Sequence, residues 1–109
     1  MSDEERRRNP RFPVDLTVTL GVAGERRDAR LHDLCRDAAL VEAVRPEPVG
    51  TAVTLEMLLP GASGPMRLAG TVIRLAPGEQ GGHGMAILFS APPPEAEARI
   101  DEFVASQGR

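Results

Sequence analysis

Four arginines fall within six residues near the start of the chain, Arg6, Arg7, Arg8 and Arg11, immediately ahead of the first strand-like run. A guanidinium group is planar and always charged, and its forked N–H donors match the two oxygens of a phosphate; it also stacks flat on aromatic rings, purines included. The 109-residue chain carries a formal charge of -3, so this positive potential is local. A small cationic arm on an acidic body fits a compact anionic partner better than a long polyanion. The alternative is a solvated terminus whose charge only keeps the protein soluble. All thirteen basic residues are arginine, a bias of the whole chain, so the clustering carries the signal and the residue type does not.

Other chemistry-bearing residues are sparse. The histidines are His32 and His83, and Cys35 is the one strong nucleophile. His32 and Cys35 stand three apart on an expected strand, which sends their side chains to opposite faces. They therefore make neither a Cys–His pair nor two ligands of one metal. A lone cysteine is more often a small core residue than a reactive thiol. Gly78, Gly81, Gly82 and Gly84 form a glycine-rich loop, but it leads into a strand, whereas phosphate-cradling loops lead into a helix. Asp28, Asp33 and Asp37 form no acid–base couple. Nothing here is a catalytic or metal-binding set, and the expectation is a binding protein, not an enzyme, with no cofactor. With three phenylalanines and no tyrosine or tryptophan, the chain lacks the stacking platform and the positive groove of a general DNA or RNA binder.

The elements that must hold these residues follow from hydrophobic period. Val14, Leu16, Val18 and Leu20 alternate with polar residues, a strand with one buried face, and Gly21 to Arg27 reads as a polar turn. Further strands are expected over Asp28–Asp33, with Ala29 and Leu31 inward, then Ala39–Ala43, Val53–Leu59, Met66–Leu75 and Gly84–Phe89. Gly70 inside the fifth is expected to bend it. After Pro92, Pro93 and Pro94 the period changes: Ala96, Ile100, Phe103 and Val104 have helical spacing, and Glu95 and Glu97 suit a helix N-terminus. The pattern predicts an all-β protein, a six-stranded antiparallel barrel with a C-terminal α-helix over 94–107 covering one opening. Residues 1–11 read as a flexible arm and 12–109 as one domain, long enough to bury a core without disulfides. No apolar run matches a membrane span, the first ten residues are polar, and a single cysteine suits a reducing compartment, so the expected location is cytoplasmic.

One pairing is specific. Arg7-Arg8-Asn9-Pro10-Arg11 enters the first strand, and Asp33-Leu34-Cys35-Arg36-Asp37-Ala38 spans the turn between the second and third. This arrangement resembles the PilZ domain family, whose members carry R-x-x-x-R followed by D/N-x-S-x-x-G. The similarity extends to Pro48-Val49-Gly50-Thr51, Gly70-Thr71-Val72 and Gly84 to Phe89. It implies the same barrel-plus-helix fold and a receptor for the bacterial second messenger cyclic di-GMP, with no catalysis. On that resemblance, Arg7 and Arg11, assisted by Arg8, meet phosphates and guanines, Asp33 accepts N–H groups of a guanine edge, and Cys35 and Ala38 occupy the family serine and glycine positions. A thiol is a poorer donor than a hydroxyl, and an alanine at positive φ costs about 1–2 kcal/mol. The resemblance also implies an unidentified protein effector. A second function stays open: an adaptor in motility or signalling complexes that works by protein contact without the nucleotide.

Overall fold

The computed structural model describes residues 12–77 and 83–107. Six strands, β1 (Phe12–Val22), β2 (Glu25–Leu34), β3 (Ala38–Ala43), β4 (Ala52–Met57), β5 (Met66–Pro77) and β6 (His83–Phe89), are followed by one helix, α1 (Pro94–Gln107). All neighbours pair antiparallel, and the sheet closes in the order β1-β2-β3-β6-β5-β4. The six-stranded barrel with a C-terminal helix expected from alternation is the fold the chain adopts. Its interior is the inward set of each strand: Val18 and Leu20, Leu31, Val41, Val53 and Leu55, Leu68 and Val72, Met85 and Ile87, all 4% exposed or less.

Two local expectations are corrected. The polar stretch Gly21–Arg27 is mostly strand, because a barrel strand keeps its ladder where its side chains are solvated. The turn is only Ala23–Gly24, with φ of 52° and 84°, the doubly left-handed geometry that matches the twist of a two-residue hairpin. Gly70 does not mark the irregularity in β5, which lies between Val72 and Arg74. A Cβ at Gly70 would stand 2.7 Å from the Leu88 carbonyl oxygen and 2.7 Å from Ile87 Cγ2; glycine is there because β6 passes too close for a side chain.

Strand direction brings the β2–β3 turn, the β4–β5 loop and the end of β6 to one rim, with the start of β1 beside them, since Phe12 pairs with Leu34. α1 follows β6 and covers this rim. Pro94 opens the helix at a position that needs no N–H, Pro93 accepts the amides of Ala96 and Glu97, and Glu95 and Glu97 occupy the first turn. Ala96, Ile100 and Phe103 recur at helical spacing and join the barrel core, with Leu59 of the β4–β5 loop in the same cluster. Burying a side chain such as Ile or Phe stabilises by roughly 1.5–3 kcal/mol each, so the helix is held as part of the core. Replacing Phe103 by Ala, at 7% exposure, is expected to cost about 3–5 kcal/mol in urea unfolding; a cost under ~1 kcal/mol would show a helix that is only loosely attached.

Candidate functional site

The signature turn owes its shape to one extra residue in β2. Leu31 pairs with Val41 and Asp33 with Leu40, leaving His32 unpaired as a bulge. Leu31 and Leu34, three apart, therefore both point into the core at 0% exposure, and Asp33 lies on the outer face. Uninterrupted alternation would have turned Asp33 inward. His32 and Cys35 do point to opposite sides, as expected, but not because they alternate along one strand: Cys35 lies beyond the end of β2, in the turn, and is buried. His32 meets Glu42 of β3, its Nε2 2.6 Å from Oε1, with both side chains largely buried. Beside them Arg30 donates Nε to Asp15 Oδ1 at 2.7 Å and Nη2 to Oδ2 at 3.1 Å. These bonds hold the Asp15 carboxyl below the usual carboxylate range, with a smaller coulombic contribution from Arg30. Sequence reasoning missed both pairs; each partner comes from a different strand, and spacing along the chain does not encode cross-strand register.

The turn itself is tied on every side. Cys35 N–H donates to the Ala38 carbonyl at 2.9 Å, and Phe89 N–H donates to the Asp37 carbonyl at 2.9 Å, fastening the turn to β6. Arg36 reaches α1, with Nη2 3.1 Å from Asp101 Oδ2 and 3.9 Å from Glu97 Oε1. Those two carboxylates are one helical turn apart on one face. Cys35 is 4% exposed, and its thiol donates to Asp37 Oδ1 at 3.0 Å. Burial pushes the thiol pKa up, and the hydrogen bond to Asp37 adds to the shift, so Cys35 is a protonated, inward-facing donor and not a reactive nucleophile.

Of the six residues expected at the site, Asp33, Cys35 and Ala38 are brought together at the covered rim. Arg7, Arg8 and Arg11 lie outside the described residues. The backbone cost expected at Ala38 is corrected. Ala38 opens β3 opposite Leu88, and the described non-glycine residues at positive φ are Ala23 and Ala91. The strand continues through Ala38 without left-handed geometry, so no glycine is required there for φ. Among the described residues no group of histidine, cysteine, aspartate or glutamate is placed to hold a metal ion, and no helix is long and apolar enough to cross a membrane.

The PilZ domain family model matches residues 5–106, nearly the whole chain, and the protein belongs to that family. Three solved structures share its fold. The inhibitor of motility MotI/DgrA from Bacillus subtilis superposes with a TM-score of 0.80 at 14% identity, over 94% of this chain and 51% of that one. The PilZ domain of YcgR from Escherichia coli, determined with c-di-GMP, gives 0.73 at 17% identity over 95% and 92% of the two chains. MrkH of K. pneumonia in complex with c-di-GMP gives 0.72 at 16% identity over 94% and 52%. The chain thus spans about half the length of MotI/DgrA and of MrkH. No curated protein matches the sequence.

Two measurements check this description of the turn. Iodoacetamide should modify Cys35 far more slowly in the native protein than after unfolding. Because the folded thiol pKa is raised, the associated stability is complete below the ordinary thiol pKa of about 8.5 and is lost as pH rises toward the folded value; rapid native alkylation at neutral pH would contradict the buried, protonated thiol. Ala38→Gly should lower stability by about 0.5–1 kcal/mol, the entropic cost of glycine in a strand, whereas a gain would signal relief of backbone strain.

Proposed function

We propose that this domain is a cyclic di-GMP receptor of bacterial second-messenger signalling, working as a cytoplasmic, non-enzymatic module that passes occupancy to a protein effector. One observation carries the reading. The signature turn Asp33 to Ala38 stands at the rim where β1 begins, with Phe12 paired to Leu34. Arg11 is the next residue along the chain, and consecutive Cα atoms are about 3.8 Å apart, so the arginine arm is covalently anchored beside Asp33. Two phosphates and two guanines call for charge-assisted forks and flat stacking surfaces, which Arg7 and Arg11 supply with Arg8 assisting. Asp33, on the outer face, accepts N–H groups from a guanine edge. YcgR and MrkH were determined with this nucleotide, which supports the same ligand here. MrkH is also described as a c-di-GMP-dependent transcription regulatory factor; for this chain, a net charge of -3 and three aromatic residues favour a small anionic ligand over nucleic acid.

A second reading is favoured by Cys35. Its proton is bonded to Asp37 inside the turn, and a thiol is a poorer donor than the hydroxyl of the family serine, which suits an adaptor that has given up the nucleotide. Calorimetric titration with cyclic di-GMP separates the two. In the receptor, Arg7→Ala and Arg11→Ala each remove a charge-assisted contact of roughly 1.5–3 kcal/mol, lowering affinity about ten- to a hundredfold with an unchanged melting temperature. Equal binding by the double variant and the parent would place the site elsewhere. Cys35→Ser should tighten binding about two- to tenfold, the equivalent of one neutral hydrogen bond of roughly 0.5–1.5 kcal/mol. No heat at high ligand concentration from either protein would leave the adaptor.

A further inference from the structure

The two openings of the barrel are closed differently. α1 covers the Asp33 rim and sends Ala96, Ile100 and Phe103 into the core. Among the described residues, the opposite opening is crossed by the β3–β4 connection. There the Glu47 amide donates to Met85 Sδ at 3.3 Å, and the Glu47 carboxylate pairs with Arg27. Arg27 is registered with Leu20, so it stands on the inward face, and its Nε is buried without a hydrogen-bond partner among the described residues. The plug is incomplete. A cavity of about 350 Å³ remains at this mouth, with Val22, Glu25, Arg27, Arg45 and Glu47 in its walls.

Apolar side chains are left exposed around it. Leu75 is registered with Met85 and shares its inward face, yet Leu75 is 44% exposed where Met85 is 0%. Val44 and Val49, near the two ends of the β3–β4 connection, are 87% and 60% exposed. A single exposed apolar residue needs no explanation, but three at one opening mark an interaction surface.

The charges at the mouth show what it fits. Arg27 and Glu47 are spent on each other. Glu25, beside the β1–β2 turn, and Arg45, on the β3–β4 connection, are both exposed, and neither makes an ion pair or hydrogen bond with a described residue. One free carboxylate and one free guanidinium on different connections of one mouth make a surface complementary to itself. A two-fold axis through the mouth sets Arg45 of each copy against Glu25 of the other, so the same contact is made twice.

The geometry points to a second copy of this chain as the occupant: a two-fold dimer in which the open mouths of two barrels close on each other. Val44, Val49 and Leu75 are buried in the contact, and Arg45 pairs with Glu25 across the axis. Both Asp33 rims, at the opposite ends of the barrels, stay accessible. The inference does not depend on the nucleotide.

Sedimentation velocity of the full chain at increasing protein concentration tests it, and a dimer that dissociates on dilution is expected. Arg45→Glu and Glu25→Arg each set like charges against one another twice per dimer, and each should weaken association tenfold or more. The double variant Glu25→Arg with Arg45→Glu restores opposite charges and should recover the dimer, which neither misfolding nor a change of net charge would produce. Val44→Ser should weaken association while the melting temperature of the dilute protein stays unchanged, and Arg99→Ala, on α1 at the other end, should associate like the parent. A parent that stays monomeric at every concentration overturns the inference. So does a dimer indifferent to both single reversals, or a double variant that remains dissociated.

Discussion

An extra residue in β2 decides which side of the wall carries chemistry. Without the bulge at His32, the alternation set by Ala29 and Leu31 would bury Asp33 and expose Leu34. With it, Leu34 remains in the core at 0% exposure and Asp33 faces outward beside Leu40. An ionised carboxylate in the barrel interior would cost several kcal/mol, and an exposed Leu34 would forfeit roughly 1.5–3 kcal/mol of burial. One unpaired residue avoids both. The displaced histidine does not sit idle, since it closes onto Glu42, a carboxylate that is itself only 9% exposed on the outward side of β3.

The turn that follows is as much a part of the helix seat as of the site. Its backbone is bonded to β6 through Asp37 and Phe89, and its side chain Arg36 bridges two carboxylates on α1. Exposed ion pairs of this kind contribute little to stability, typically under about 1 kcal/mol. Their weight here is positional, because they join the Asp33 turn to α1, which lies outside the barrel wall. Cys35 works in the same direction from inside, bonding to Asp37 and keeping the turn closed.

Period-2 alternation was enough to identify all six strands and the barrel, since each strand buries one face and solvates the other. The shift to helical spacing after Pro94 was enough for α1, and the arginine cluster with the Asp33 turn was enough for the family. What alternation does not carry is register. His32 has no local mark of a bulge, and His32 and Cys35 face opposite sides although Cys35 lies in the turn beyond β2. Gly70 looked like a bend because a glycine in a strand has several causes; only the approach of Leu88 and Ile87 separates them. The pairs of Arg30 with Asp15, His32 with Glu42 and Arg36 with Asp101 join residues far apart in the chain, and only the ladder and the helix seat make them neighbours. At Ala38 the family pattern invited an expectation of left-handed geometry, which this backbone does not have.

Strand connectivity, in which β3 pairs with β6 and the chain crosses over to β4, gives the barrel two unlike ends. The β2–β3 turn, the β4–β5 loop, the start of β1 and the exit to α1 are crowded together at one rim, while the opposite rim carries the β1–β2, β3–β4 and β5–β6 connections. The β1–β2 and β3–β4 connections hold no part of the Asp33 turn, and loops free of such ties accept insertions at modest entropic expense. The far rim is therefore where added sequence would least disturb the Asp33 rim. In a longer polypeptide, domains on either side of the barrel would be tethered to the Asp33 rim, by way of β1 and α1.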